Sequence, residues 1–329
     1  MRLPTALTPA DLAPMALQSL ADGLDSGARH WLLVDLDAPG PDAGEAAALA
    51  AWLQRQPCPV IGVGAGDAPL AAGVDAVAQD RDLDRILANI ERCPRAAAVL
   101  VQLLRATESL PVPEALTVES LAYAALQGGS EFARWLGAAV RRPPPPEAGP
   151  PVLLVRAGNG LEIVLNRPAA RNAIGVEIRD ALCEAFELVL MDEDIVRAHV
   201  RGNGACFSVG GELAEFGQAP DPAQAHAIRM LRLPARLVAR APERFEFHLH
   251  GACIGAGIEL PSFGARVVAA RRSFFQLPEL SMGLIPGAGG CVGIARRTGR
   301  RRTAWMVLSG RRVDARTALA WGLVDALVD

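Results

Sequence analysis

The chain has 329 residues, of which 51% are hydrophobic, 21% charged and 5% aromatic. At roughly 150 residues per domain, this length predicts about two domains, each able to bury a core. The 33 basic residues, all arginine, and the 36 acidic residues give a net charge of −3. This balance argues against a nucleic-acid-binding surface built from bulk charge, and the lack of lysine excludes chemistry that needs a lysine amine.

The first 140 residues predict a parallel α/β unit followed by helices. Residues 31–36 and 60–63 are apolar runs typical of buried strands, and residues 43–56 between them have helical composition. From Asp82 to Leu136 apolar residues recur at helical spacing, which predicts a helical module. The glycines of residues 62–66 follow the second strand, so a nicotinamide-dependent oxidoreductase is kept as an alternative on a weak signal.

A proline-rich segment, residues 141–151 (RRPPPPEAGPP), divides the chain. Consecutive prolines lack N–H donors and fix φ, so neither a helix nor a sheet strand continues through them. We therefore predict a module over residues 1–140, an extended linker over 141–151 and a second domain over 152–329. The alternative is a long surface loop within one domain.

The second part again alternates strands and helices, which predicts an α/β fold. A hairpin is expected where Gly158-Asn159-Gly160 separates two apolar runs. The other predicted elements are helices over residues 175–190, 222–240, 300–308 and 315–321, and strands over 197–201, 245–249 and 266–269.

The cysteines, the N-terminus and the hydropathy indicate a soluble cytoplasmic protein without a metal. Six cysteines, at positions 58, 93, 183, 206, 253 and 291, form no C-x-x-C pair, so we predict reduced, mostly buried thiols and no metal site. The first 20 residues lack the apolar core of a signal peptide, and no run approaches the ~20 apolar residues of a membrane span.

Three glycine-rich turns in the second part carry the strongest chemical signal, because glycine lets a backbone approach a ligand closely. Two glutamates, Glu259 and Glu279, follow in largely apolar surroundings, where a carboxyl group has a raised pKa suited to proton transfer. The alternative is that each glutamate caps a helix N-terminus. The three turns are residues 202–213, 251–260 and 283–290.

Residues 152–329 resemble the enoyl-CoA hydratase/isomerase family, the crotonase superfamily. The resemblance rests on stretches that run in family order. These are residues 166–168 (NRP), 171–173 (RNA), 207–213 (FSVGGEL), 255–260 (GAGIEL), 275–279 (FQLPE), 283–290 (GLIPGAGG), 309–310 (SG) and 322–324 (GLV). It implies a spiral core of ββα turns that binds an acyl-CoA thioester.

The resemblance also implies a role for each site residue. The backbone N–H groups of Val209 and Ala256 would form an oxyanion hole for the thioester oxygen. Val209 and Ala256 replace the more common Ala and Gly, and the Val209 side chain would narrow the acyl pocket. Glu259 would activate water for attack at Cβ, and Glu279 would exchange the proton at Cα. The substrate pocket would include Phe207, Gly210, Gly255 and Gly287.

The two glutamates favour one reaction within the family. Family hydratases carry both acids, whereas isomerases mostly keep only the second, so we expect hydration of a trans-2-enoyl-CoA to a 3-hydroxyacyl-CoA, as in fatty acid metabolism. The alternatives are double-bond isomerisation by Glu279 alone and an acyl-CoA-binding subunit without turnover. No separate cofactor is expected, because coenzyme A is part of the substrate. The family typically forms trimers or pairs of trimers, so a homo-oligomer is expected.

The N-terminal part resembles pieces of the same family. Members normally continue past the Gly-Leu-Val segment with a helical tail, which is not found between residue 324 and Asp329, whereas residues 86–136 look like such a tail. Residues 59–80 look like an eroded copy of the core, with Asp75 at the position of Glu259. Our hypothesis is that residues 28–140 are a degenerate crotonase-like domain whose helices replace the tail, without a second active site.

Several polar residues are open to two interpretations. Arg271, Arg272 and the arginines of residues 296–302 would either contact the phosphates of coenzyme A or form a solvated helix face, which is the favoured alternative. Glu212, His248 and His250 are interpreted as structural residues.

Overall fold

The computed structural model describes residues 5–22, 30–40, 42–66, 68–140, 142–219 and 221–329. Parts of two predictions lie outside these residues: residues 1–4, 23–29, 41 and 67 of the N-terminal module and Arg141 of the linker. The start of the proposed degenerate domain, residues 28 and 29, lies outside them as well. Described elements of the first part are α1 (Pro9–Asp22), β1 (Leu32–Asp35), α2 (Ala43–Gln54), β2 (Val60–Val63), β3 (Ala76–Ala78), α3 (Asp80–Arg92), α4 (Pro94–Thr107), α5 (Val112–Gln127) and α6 (Ser130–Ala138).

The predicted strand–helix–strand unit is confirmed. β1 and β2 pair in parallel with Leu33 opposite Ile61, and α2 connects them. Asp42 caps α2 by accepting hydrogen bonds from the N–H groups of Gly44 and Glu45, as expected for a carboxylate at a helix start. A third parallel strand, β3, which the sequence did not predict, completes the sheet.

The helical module is confirmed as well, and it packs against the rest of the chain. Helices α3 to α6 follow the predicted stripe, and buried residues on them, such as Leu100 and Phe132, belong to the same hydrophobic cluster as Phe186 and Phe247 of the second part. The three-stranded sheet has a separate small core around Leu53 and Val60. Whether the first part is a domain of its own stays a prediction.

Residues 142–150 contain neither helix nor strand, in keeping with their prolines. The carboxylate of Glu147 accepts hydrogen bonds from the N–H groups of Ala169 and Ala170, which ties this segment to the second part. The second part contains β4 (Val152–Ala157), β5 (Gly160–Leu165), α7 (Val176–Met191), β6 (Arg197–Gly202), α8 (Pro222–Leu231), α9 (Pro234–Val238), β7 (Phe245–Leu249), β8 (Ala252–Ile254), α10 (Ala256–Glu259), β9 (Arg266–Ala270), β10 (Phe274–Gln276), α11 (Gly290–Thr298), α12 (Arg300–Ser309), β11 (Val313–Asp314), α13 (Ala315–Trp321) and β12 (Ala326–Val328).

The main sheet of the second part has six strands in the order β12-β9-β7-β6-β5-β4. β4 and β5 form the predicted antiparallel hairpin, with Gly158 at φ 61° in its turn, and the remaining neighbours pair in parallel. This arrangement confirms the α/β class. A second sheet consists of three very short strands in the order β11-β10-β8. Strand β8 lies within the glycine-rich turn of residues 251–260, and β10 precedes the turn of residues 283–290.

The single helix predicted over residues 222–240 is wrong. The structure has two helices, because Pro234 lacks an N–H and disfavours a helical conformation at the residue before it. Leu233 accordingly has φ −101° and ψ 107°, and Pro234 opens α9. Helix α8 packs against α5.

All six cysteines are buried, as predicted. Within the described ranges, no helix combines the length and the apolar character needed to cross a bilayer.

Candidate active site

The glycine-rich turns after β6 and β8 lie against each other. Ser208 pairs with Cys253 in a parallel bridge, and the Ile254 N–H donates to the Ser208 carbonyl oxygen at 3.1 Å. A Cβ on Gly257 would lie 2.4 Å from that same oxygen, so only glycine permits this approach. The buried Asn172 stabilises the turn after β6, because its side-chain amide donates to the carbonyl oxygens of Cys206 and Phe207.

A cavity of about 280 Å³ opens where the turns meet. Seven of the predicted site residues line it: Val209, Gly210, Gly255, Ala256, Glu259, Glu279 and Gly287. Phe207 does not, and its prediction as a pocket residue is corrected here. Its side chain is fully buried and packs edge-on against the ring of Phe247, because the chain enters the turn with this side chain directed into the core.

Glu259 ends the short helix α10 and is almost completely buried. Its Oε2 accepts hydrogen bonds from the N–H groups of Ala288 at 2.7 Å and Gly290 at 2.9 Å. Gly290 is the first residue of α11, so Glu259 lines the cavity and also holds a helix start. Burial raises the pKa of Glu259 to about 7, and the two N–H groups oppose that rise by stabilising the anion.

Glu279 is buried beside Glu259 but has a different environment. Its Oε2 is buried and has no hydrogen-bond partner within the described part of the chain. Burial raises the pKa of Glu279 well above its ordinary value, and the nearby charge of Glu259 raises it further. The two carboxyl groups therefore differ in the stabilisation of their anions, since Oε2 of Glu259 accepts hydrogen bonds from two N–H groups and Oε2 of Glu279 accepts none from the described residues.

The two predicted oxyanion donors differ in whether the N–H group already has a hydrogen-bond partner. The Val209 N–H donates to the carbonyl oxygen of Arg171 at 3.2 Å. No partner is found among the described residues for the Ala256 N–H, which lies 3.5 Å from the position of a Cβ on Gly210. The Ala256 N–H is therefore free to donate to a thioester oxygen. The Val209 N–H could do so only if it shared or gave up its hydrogen bond to Arg171.

The sequence analysis missed Tyr123 and Glu119 on α5 of the N-terminal part; Tyr123 lines the cavity, and Glu119 binds the loop beside it. The ring of Tyr123 covers Gly287 so closely that a Cβ there would come within 2.3 Å of it. Glu119, one turn earlier, is buried and accepts hydrogen bonds from the N–H groups of Gly289 and Cys291. The only signal in the sequence was an acid and a tyrosine, four residues apart, inside an apolar helix.

Arg229 on α8 fastens α5 to the second part. Its guanidinium donates to the side chains of Ser120 and Gln127 and lies 4.7 Å from the centre of the Tyr123 ring. The wall that α5 contributes to the cavity is thus held by direct bonds to the second part.

The other arginines that were considered as phosphate ligands have different roles. Arg271 pairs with Asp329, and Arg297 pairs with Asp325. Arg300 is buried and donates to Asp75, which also pairs with Arg105. The favoured interpretation of a solvated basic face is therefore wrong for Arg300, because a carboxylate of the N-terminal part neutralises it in the interior.

Glu212 and three histidines occupy structural settings. Glu212 accepts a hydrogen bond from the Ala214 N–H, and His250 contacts the Gly204 carbonyl. His199, Glu246 and His248 form a cluster that the sequence did not predict, with His248 Nε2 3.3 Å from His199 Nδ1 and 3.1 Å from Glu246 Oε1. These atom types bind metal ions, but Glu246 is also paired with the guanidinium groups of Arg197 and Arg266, whose positive charges oppose a cation there.

Comparison with known proteins agrees with the geometry. Residues 157–329 match the family model of enoyl-CoA hydratase/isomerase. The chain is 34% identical over 174 residues to 2,3-dehydroadipyl-CoA hydratase of Escherichia coli K12, covering 53% of this chain and 68% of that enzyme. It is 33% identical over 183 residues to carnitinyl-CoA dehydratase of Salmonella paratyphi A, covering 53% and 67%.

Solved structures show the same similarity. An enoyl-CoA hydratase from Thermoplasma volcanium GSS1 superposes with a TM-score of 0.51 at 31% identity, over 55% of this chain and 73% of that one. An enoyl-CoA hydratase from Mycobacterium smegmatis gives 0.51 at 28% identity, over 55% and 70%. The predicted ββα core is thereby confirmed, and all these matches concern about half of the chain.

Proposed function

Because the chain belongs to the enoyl-CoA hydratase/isomerase family, whose members act on acyl-CoA thioesters, we propose that it hydrates a trans-2-enoyl-CoA to the 3-hydroxyacyl-CoA. The observation that carries the proposal is the unequal environment of the two buried glutamates. Glu259 Oε2 accepts hydrogen bonds from two N–H groups, which favour the anion, whereas Oε2 of Glu279 has no partner among the described residues and the pKa of Glu279 is raised more strongly. Near neutral pH the ionised Glu259 can then act as a base, and the protonated Glu279 can act as an acid.

The proposed reaction uses these two states. Glu259 takes a proton from water as the water oxygen bonds to Cβ, and the electrons of the double bond move toward the thioester. The Ala256 N–H, assisted by Val209, stabilises the oxygen of the resulting enolate, and each donor of this kind typically contributes ~3–4 kcal/mol. Glu279 then gives its proton to Cα, so that water has been added across the double bond.

A second candidate, an acyl-CoA-binding protein without turnover, is favoured by one observation. The Val209 N–H is already bonded to the Arg171 carbonyl, which leaves the hole with one free donor among the described residues. No comparable observation favours isomerisation by Glu279 alone, because Glu259 also lines the cavity and is held there by two N–H groups.

The loss of enoyl absorbance with crotonyl-CoA tests the proposal, in the wild type and in Glu279→Gln. We expect turnover that the substitution abolishes. Tight binding of crotonyl-CoA without turnover would support the binding protein, and conversion of a 3-enoyl-CoA without hydration would support the isomerase. The trimer or hexamer expected from the family stays a prediction, which sedimentation equilibrium would measure.

A further inference from the structure

Helix α5 brings a third acid to the site. Glu119 is 1% exposed, and both of its carboxylate oxygens are used. Oε1 accepts a hydrogen bond from the Gly289 N–H at 2.7 Å, and Oε2 accepts one from the Cys291 N–H at 2.9 Å. The bonds join residues that are 170 and 172 positions apart in the chain. Glu119 is therefore attached to the loop that leads into α11.

The same loop also holds Glu259. The N–H groups of Ala288 and Gly290 donate to Glu259, so four successive N–H groups alternate between the two carboxylates. Gly289, at φ 107°, gives the chain the local turn at which this alternation occurs. A helix start leaves its first N–H groups without backbone partners, and here both acids satisfy them.

The contacts leave the loop little freedom. A Cβ on Gly290 would lie 2.6 Å from Cγ of Glu259, and a Cβ on Gly287 would meet the ring of Tyr123. The loop thus lies between Glu259 on one side and helix α5 on the other. It cannot move toward or away from either carboxylate without breaking the hydrogen bonds to the other.

On the basis of the proposed function, we propose that Glu119 is a positioning residue for Glu259. By binding Gly289 and Cys291 it fixes the loop whose other two N–H groups orient the Glu259 carboxylate toward the cavity. Glu119 itself is absent from the residues that line the cavity, so it acts through the loop rather than on the substrate. A helix of the N-terminal part would in this way set the geometry of an acid in the second part.

The test is Glu119→Gln, with Glu131→Gln as its matched control. Glu131 is also a buried acid of the N-terminal part, and its carboxylate accepts hydrogen bonds from the N–H groups of Arg95 and Ala96 at the start of α4. The two substitutions remove the same kind of interaction, but only the Glu119 carboxylate accepts hydrogen bonds from residues 288–291.

We expect Glu119→Gln to lower kcat for crotonyl-CoA roughly 10- to 100-fold with KM within about twofold, because a small misplacement of a reacting group has effects of that size. Glu131→Gln should keep the wild-type kcat. If the glutamine variant does not fold, Glu119→Asp, which keeps the carboxyl group on a shorter side chain, should show the same loss of kcat at unchanged KM. Equal kcat values in the Glu119 and Glu131 variants would overturn the proposal.

Amide hydrogen exchange supplies a readout that does not depend on turnover. Exchange at residues 288–291, followed by mass spectrometry, should be about tenfold faster or more in Glu119→Gln than in Glu131→Gln. If the wild type proves inactive on crotonyl-CoA but this difference is found, the proposed function fails and the positioning role stands. If exchange in this loop is the same in both variants, the positioning role fails whatever the activity.

Discussion

Glu259 and Glu279 face each other across Gly255. A Cβ on this glycine would lie 2.6 Å from Oε1 of Glu279 and 3.7 Å from Oε1 of Glu259, so both carboxyl groups reach the same small space. Gly255 has φ 50° and immediately precedes α10, which ends at Glu259. This turn therefore places the Ala256 N–H and Glu259 at the cavity, and the segment after β10 brings Glu279 to the same place.

The pH dependence of kcat/KM should be bell-shaped. Glu259 must be ionised to act as a base, and its pKa is raised to about 7, so the rate should increase as the pH rises through that value. Glu279 must be protonated to act as an acid, and its pKa is raised further, so the rate should fall again at higher pH. Initial rates between pH 5 and pH 10 measure this, and a rate that only falls as the pH rises would contradict the assignment.

Glu279→Gln should make the protein more stable at pH 8 while abolishing hydration. In the unfolded chain the carboxyl group ionises with its ordinary pKa of 4.5, whereas in the folded protein burial keeps it protonated to higher pH. Ionisation therefore favours the unfolded state, and stability is lost as the pH rises above 4.5, by about 1.4 kcal/mol for each unit by which the folded-state pKa exceeds the unfolded one. The neutral glutamine removes this loss.

Urea unfolding at pH 5 and pH 8 checks this prediction. The free energies of unfolding of wild type and variant should be similar at pH 5 and should differ in favour of the variant at pH 8. A variant that is less stable than the wild type at pH 8 would show that the ionised Glu279 has a partner in the folded protein.

Gly255→Ala should strongly lower turnover, and Gly310→Ala provides the control. The two glycines have φ values of 50° and 58°, so an alanine costs about 1–2 kcal/mol of backbone strain at either position. Only at Gly255 would the new Cβ collide with a Glu279 oxygen, whereas Gly310 has open space around it. Thermal unfolding should show comparable losses, and turnover should fall by about 100-fold only in Gly255→Ala.

The glutamate pair could be predicted from the sequence because it lies within short motifs whose order matches the family. Glu119 could not be predicted, because nothing in its own helix indicates that its carboxylate binds the N–H group of a residue 170 positions further along the chain. Phe207 shows the opposite failure: it belongs to a motif, yet its side chain points into the core. Local patterns thus predicted strands, helices and the two acids that line the cavity, while side-chain direction and distant contacts required the structure.

Asp75→Asn should destabilise the protein by about 3–5 kcal/mol, because it leaves Arg105 without its carboxylate and Arg300 paired only with the exposed Glu108. Asp75 is fully buried and also accepts a hydrogen bond from the Val60 N–H at 2.8 Å. By resemblance, Asp75 stands at the position of Glu259 in an eroded copy of the core. Its observed partners instead make it a link between the two parts of the chain.

Arg271→Ala is the control for Asp75→Asn. Arg271 pairs with Asp329 on the surface, where ion pairs contribute little, so its loss should cost less than about 1 kcal/mol. Urea unfolding of both variants measures the difference. Similar free energies of unfolding for the two variants would show that the buried pairs of Asp75 contribute no more than an exposed one.

Mass spectrometry of the product formed from crotonyl-CoA in ¹⁸O-labelled heavy water tests the central claim most directly. Hydration by Glu259 and Glu279 predicts a 3-hydroxybutyryl-CoA with one ¹⁸O at Cβ and one deuterium at Cα. Glu259→Gln and Glu279→Gln should each suppress both labels together. Unchanged crotonyl-CoA from a wild-type protein that binds the thioester, or label at Cα without oxygen at Cβ, would contradict the proposed hydratase.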